Sequence, residues 1–171
     1  MFNRLELFDA YDIHGKSLGY DLVRGMPIPD NVYHYVVEIY TFDHQHDLLV
    51  TKRHPNKFYP LYWEVTAGAV LKGEKPLEAA VRELKEETGL SVSESDLICV
   101  SKIINDHCFI VSYMVCIDST QPVITLEDNE TIAYQWIPFP QINSFINRAD
   151  FVPTSRKRII NNLDFIHKNI K

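Results

Sequence analysis

A mixed β-sheet packed between helices, of the α/β (α+β) class, is the fold this sequence predicts. Three observations lead there. Short runs rich in β-branched and aromatic residues alternate with turn residues through most of the chain. One amphipathic segment, Pro76 to Thr88, interrupts them with helical periodicity. Further helical patterns come only after Pro140, so no regular βαβ repeat is present.

The elements follow in order. "LELFDAYDIHGKSLGYDLVRG" reads as two short strands about a turn at His14–Lys16, an N-terminal β-hairpin within residues 1–28. A loop with Pro27 and Pro29 leads to a strand over Val32–Phe42, and "DHQHD" turns the chain into the returning strand "LLVTKR". "HPNKFYP" is a loop and "LYWEVTAG" a short strand ending at Gly68. Pro76 suits the first turn of a helix, and Gly89 suits its end. Leu77, Ala80, Val81, Leu84 and Thr88 form its expected buried stripe. "DLICVSKII" and "CFIVSYMVCI" read as neighbouring strands, and "ETIAYQWI" as the last one. A short helix follows Pro140, and a second runs from about Ser155 to Asn169 with Ile159, Leu163, Ile166 and Ile170 on one side. The 171 residues fit a single domain, with a core over 30–145 and a C-terminal helix in 150–171.

Composition narrows the function. With 46% hydrophobic residues the chain can fill a core. A net charge of −6 argues against general nucleic-acid binding and against anionic membrane surfaces. The N-terminus shows no apolar signal region, and no apolar run approaches the roughly 18 residues needed to span a bilayer, so a cytoplasmic location is expected. Cys99, Cys108 and Cys116 lack CxxC spacing and lie in apolar stretches, where buried reduced thiols are expected.

The chemistry concentrates on the central helix. Glu83 and Glu87 are four residues apart and share a side, and Glu86 lies next to them. Three carboxylates at the negative end of a helix dipole repel one another. Either they form a solvated face with Lys75, Arg82 and Lys85, or a hard divalent cation sits among them.

The surrounding spacing decides between these. Gly68, Glu74, Arg82-Glu83-Leu84, Glu86-Glu87 and Gly89-Leu90 fill every fixed position of G-x5-E-x7-R-E-U-x-E-E-x-G-U, where U is aliphatic. A chance match in a chain this long is roughly one in ten million. The sequence resembles the Nudix hydrolases. That resemblance implies an α/β/α sandwich carrying the extra hairpin and C-terminal helix, and hydrolysis of a nucleoside diphosphate linked to another moiety. It implies Mg²⁺ or Mn²⁺ held by Glu83, Glu86, Glu87 and the Gly68 carbonyl, with Glu74 as a supporting acid and Arg82 orienting one glutamate. Bound metal neutralises phosphate oxygens and acidifies water, and one glutamate can take that water's proton.

Further residues are candidates by resemblance or by type. "EDNETIAYQW" offers Glu127 and Glu130, and Glu130 precedes Trp136 as in the family's late loop, as ligand, base or plain loop residue. Arg53 is placed to meet a phosphate or to be a surface charge. Tyr62 and Trp63, with Phe58 and Tyr59, could stack a substrate ring, although Trp63 also suits the core. Arg156, Lys157 and Arg158 open a helix, where cations hint at an anion contact or a solvated face. His34, His44 and His46 read as structural.

The stretch from "LFDAYD" to "EVTAGAV" also resembles the branch related to isopentenyl-diphosphate isomerase. Those isomerases use a cysteine before the box and a degenerate box. Here the loop has no cysteine and the box is intact, which disfavours isomerisation. The expected partner is a small-molecule diphosphate. A catalytically silent ligand-sensing or protein-binding module is the other alternative, and the hairpin and last helix could support a homodimer.

Overall fold

The computed structural model describes residues 5–126, 128 and 130–170. Among these are nine strands and three helices. Strands β1 (Leu7–Tyr11) and β2 (Ser17–Val23) form an antiparallel hairpin of their own. Strands β3 (His34–Phe42), β4 (Leu48–Arg53), β5 (Trp63–Glu64), β6 (Thr66–Ala69), β7 (Ile98–Asn105), β8 (Cys108–Cys116) and β9 (Thr131–Ile137) form a seven-stranded mixed sheet. β3 lies parallel to β8 and antiparallel to β6, while β4 pairs with β5 and β9. "LYWEVTAG" is therefore two strands rather than one. Val65 separates them, and β5 pairs with β4 whereas β6 crosses to β3.

The period-2 alternation of β3 sends Val37 and Ile39 to one face and Tyr40 and Phe42 to the other. Helix α1 (Pro76–Thr88) covers the first face with Ala80 and Leu84. Helices α2 (Ile142–Ile146) and α3 (Pro153–Asn169) cover the second with Ile146, Ile159 and Ile166. A two-sided core results, the expected α/β/α sandwich. The hairpin adds a third cluster of Phe8, Ala10, Leu22 and Val32. Among the described residues no helix is long and apolar enough to cross a membrane.

Helix α1 has the expected bounds. Glu78 accepts a bond from the Lys75 N–H at 2.7 Å at its start, and Gly89 closes it at φ 75°, a left-handed turn that glycine adopts without a Cβ clash. Its buried face is shifted from the expected stripe: Ala79 and Glu87 are buried, while Leu77 and Val81 are only half-buried.

Two other expectations are corrected. Cys99 and Cys116 are exposed, because one lies on edge strand β7 and the other ends β8. Cys108 is half-buried with its Sγ 3.3 Å from His34 Nε2, and burial pushes its thiol up to about 11. The basic start of α3 is solvated only at Lys157, which is exposed. Arg158 grips the fully buried Glu38 of β3 with two bonds of 2.9 Å, and Arg156 donates to the carbonyls of Ile146, Arg148 and Phe151. His34 is buried and stacked on Phe8.

Candidate active site

β6 and α1 bring the box together. β6 pairs Gly68 with Val37, then the chain loops through Leu71–Lys75 into the helix. A Cβ at position 68 would lie 2.0 Å from Glu83 Cδ. The Glu83 carboxyl occupies that space, so only glycine lets the helix side chain rest against the strand. Gly68→Ala is expected to displace Glu83 and weaken Mn²⁺ binding by about tenfold, read by calorimetric titration. Unchanged affinity would show that Glu83 is not held by this contact.

Arg82 is the hub of the box. It donates to both Glu74 oxygens at 2.8 Å, to Glu83 at 2.7 Å, to Glu86 at 3.0 Å and to the Ala69 carbonyl at 3.0 Å. It therefore touches three glutamates, where one was expected. The bonds to Glu74 first, and the charge of Glu83 with the bonds to Glu83 and Glu86 after them, hold the guanidinium firmly protonated. Burial works against ionising Glu74, but Arg82 and the Leu71 N–H outweigh it and hold that carboxyl low.

The three helix carboxylates differ in burial. Glu86 is half in water, Glu83 is largely covered, and Glu87 is 4% exposed. Burial raises the Glu83 carboxyl, with Arg82 opposing and the charge of Glu86 assisting. Glu87 is pushed well above the ordinary glutamate range by burial first and by the charge of Glu64 second. Its Oε2 is buried with no hydrogen-bond partner. A buried carboxylate oxygen in that state calls for a cation.

Glu83, Glu86 and Glu87 line one cleft of about 290 Å³ with Gly68, Arg82 and Glu130. Among the described residues no three or more His, Cys, Asp or Glu side chains stand as a ready metal cage. Arg82 instead draws Glu83 and Glu86 to itself. Hard oxygen donors, an orphaned buried oxygen and a glycine cradle nonetheless suit a divalent cation.

The cleft is also lined by residues that local sequence patterns did not mark. Lys57, in the loop after β4, pairs with Glu130 before β9. Arg24 of the hairpin pairs with Glu6 at 2.5 Å, and both line the cleft. Their only sequence signal was charge beside a turn. The hairpin is tied to the box loop: the Gly73 N–H donates to Asp9 at 2.8 Å, Lys72 Nζ to Asp21 at 2.6 Å, and the Lys72 N–H to the Leu7 carbonyl at 2.8 Å.

Other candidates lie away from the cleft lining. Arg53 is held by the nearly buried Glu64 at 2.6 Å and by the Phe58 carbonyl at 2.6 Å. Trp63 sits in the lower core against Phe145, with Lys52 over its ring. Tyr62 is half-buried beside Tyr59. Glu127 lies outside the described residues.

The sequence pattern of the NUDIX domain matches residues 32–161. The chain belongs to the Nudix domain family. An uncharacterized Nudix hydrolase of Listeria innocua is 27% identical over 133 residues, 77% of this chain and 79% of that protein. An isopentenyl-diphosphate Delta-isomerase of Corynebacterium diphtheriae is 25% identical over 162 residues, 87% of each chain. Among solved structures, Deinococcus radiodurans DR0079 superposes with a TM-score of 0.75 at 20% identity, covering 92% of this chain and 99% of that one. Domain and relatives make this chain a Nudix hydrolase, related at a distance to the isomerases.

Proposed function

We propose that this Nudix hydrolase cleaves the phosphoanhydride bond of a small-molecule diphosphate, a nucleoside diphosphate linked to another moiety or a related compound. The reading depends on Mg²⁺ or Mn²⁺ held by Glu83, Glu86, Glu87 and the Gly68 carbonyl. The observation that carries it is Glu87, a buried carboxyl with an orphaned oxygen, lining an open cleft with further carboxylates. Divalent metal is the general cofactor of Nudix hydrolases. Such an ion would neutralise phosphate oxygens and lower the pKa of an attacking water.

The chain's own residues do the rest. Glu74 holds Arg82, and Arg82 holds Glu83 and Glu86 in place. Arg24 and Lys57 offer the cleft two cations to contact phosphate oxygens. Glu130 lines the same cleft and would take a proton from water or add an oxygen ligand. Arg53 braces Glu64 and the loop that carries Lys57 rather than meeting substrate, and Trp63 and Tyr62 hold that loop's base. Cys99 and Cys108 are free thiols, which suits a reducing, cytoplasmic setting.

The test is release of phosphate or pyrophosphate from a panel: a nucleotide sugar, a dinucleotide, a coenzyme A-type diphosphate and a prenyl diphosphate, with Mg²⁺ or Mn²⁺. Turnover of at least one substrate, abolished by chelation, is expected. Binding without turnover would make the chain a sensor. Conversion of isopentenyl diphosphate to its allylic isomer would make it an isomerase. Among the described residues no cysteine lines the cleft to move that proton.

A further inference from the structure

We propose that Lys57 is a stand-in cation: its ammonium clamps Glu130 in the free protein and releases it when a diphosphate takes the lysine. The proposal rests on the hydrolase reading above.

Lys57 Nζ donates to Glu130 Oε2, and both side chains line the cleft. The lysine side chain is only 17% exposed, so the ammonium is held inside rather than waving in solvent. Its charge also acts on Glu64 and Glu87. One ammonium thus serves a ring of carboxylates drawn from β5, α1 and the loop before β9. Lysine suits this as a compact point charge on a flexible stem.

The backbone around it is fixed. The His54 N–H donates to the Glu130 carbonyl at 3.0 Å, and the Lys57 N–H to the His54 carbonyl at 3.0 Å. Arg53 Nε donates to the Phe58 carbonyl at 2.6 Å. Tyr59 and Leu61 sit at φ 54° and 64°, left-handed conformations that non-glycine residues hold only when surroundings enforce them. The Lys57 loop and the Glu130 backbone are tied together, so parting the two side chains needs only rotation of the lysine stem.

Glu130 cannot grip an ammonium and act on water or metal with the same oxygen. A diphosphate competes for the ammonium with more negative charge than one carboxylate. A dication among the glutamates makes the ammonium redundant there and repels it. Binding of metal and of substrate should therefore favour each other through Lys57. Lys57 on this account both contacts the diphosphate and controls when Glu130 is free.

The experiment titrates the full chain with Mn²⁺ alone, by calorimetry or electron spin resonance, for wild type, Lys57→Met, Lys57→Arg, Glu130→Gln and Lys57→Met/Glu130→Gln. Lys57→Met should bind Mn²⁺ about three- to tenfold more tightly than wild type while raising KM for the diphosphate. Lys57→Arg should stay near wild type. The double variant should lose most of the gain. Thermal melts with and without Mn²⁺ confirm that each variant is folded. Unchanged or weaker Mn²⁺ binding by Lys57→Met overturns the proposal. If wild type still binds Mn²⁺ and hydrolyses a diphosphate, the hydrolase reading survives that loss. If wild type neither binds Mn²⁺ nor turns over substrate, both fall.

Discussion

Glu87→Gln is expected to slow hydrolysis about 10²–10⁴-fold and, without divalent cation, to make the protein harder to melt. The two effects share one cause. Burial, and then the charge of Glu64, raise the Glu87 carboxyl well above its ordinary range. The folded protein therefore holds that proton more tightly than the unfolded chain does. Stability from this group is complete below the ordinary glutamate range and is lost as pH rises through the raised value. Above the ordinary glutamate range the fold therefore carries the cost of this buried carboxyl with its unpartnered oxygen, and glutamine, which does not ionise, removes that cost. A gain of about 2–4 °C in Tm is expected at pH 7 for each kcal/mol recovered. Near pH 4 the two proteins should melt close together. Saturating Mn²⁺ should reverse the order at pH 7, because only the carboxylate repays a cation. A variant that is less stable at pH 7 without metal, yet fully active, would remove Glu87 from the site.

Arg158→Met should destabilise the fold by about 3–5 kcal/mol in urea denaturation, without touching the cleft. Glu38 is fully buried and accepts two bonds from Arg158, one from Tyr40 Oη at 2.7 Å and one from Ser155 Oγ at 2.7 Å. Burial first, and the charge of Glu38 second, keep the Tyr40 hydroxyl protonated as a donor. Losing the arginine leaves an anion inside the sheet with only hydroxyls to face it. Adding Glu38→Gln should restore most of the loss, since an amide keeps an acceptor and drops the charge. A small loss in the single variant would mean that water reaches Glu38. Metal affinity should change little in either variant.

The acidic helix was legible because its marks are local. Pro76, the apolar spacing and Gly89 bound it, and the fixed positions from Gly68 to Leu90 named its family. The sandwich followed from the strand runs around it. What stayed hidden depends on partners far along the chain. Glu38 looked like any polar residue of a strand until Arg158 reached it from α3. Lys57 gains meaning only from Glu130, and Arg24 only because the hairpin folds over the cleft. Exposure of Cys99 follows from β7 lying at the sheet edge, a fact of topology rather than of composition. Splitting of "LYWEVTAG" into β5 and β6 likewise comes from each half finding a different neighbour.

Asp9, Asp21 and Leu7 fasten the N-terminal hairpin to Lys72 and Gly73, beside Glu74 in the loop that leads into α1. The hairpin and the loop that leads into the glutamate-bearing helix thus form one mechanical unit. A transplant of this hairpin into a cousin, made to swap substrate preference, would have to carry the Leu71–Lys75 segment with it. Moved alone, it would lose the three bonds that tie it to that segment.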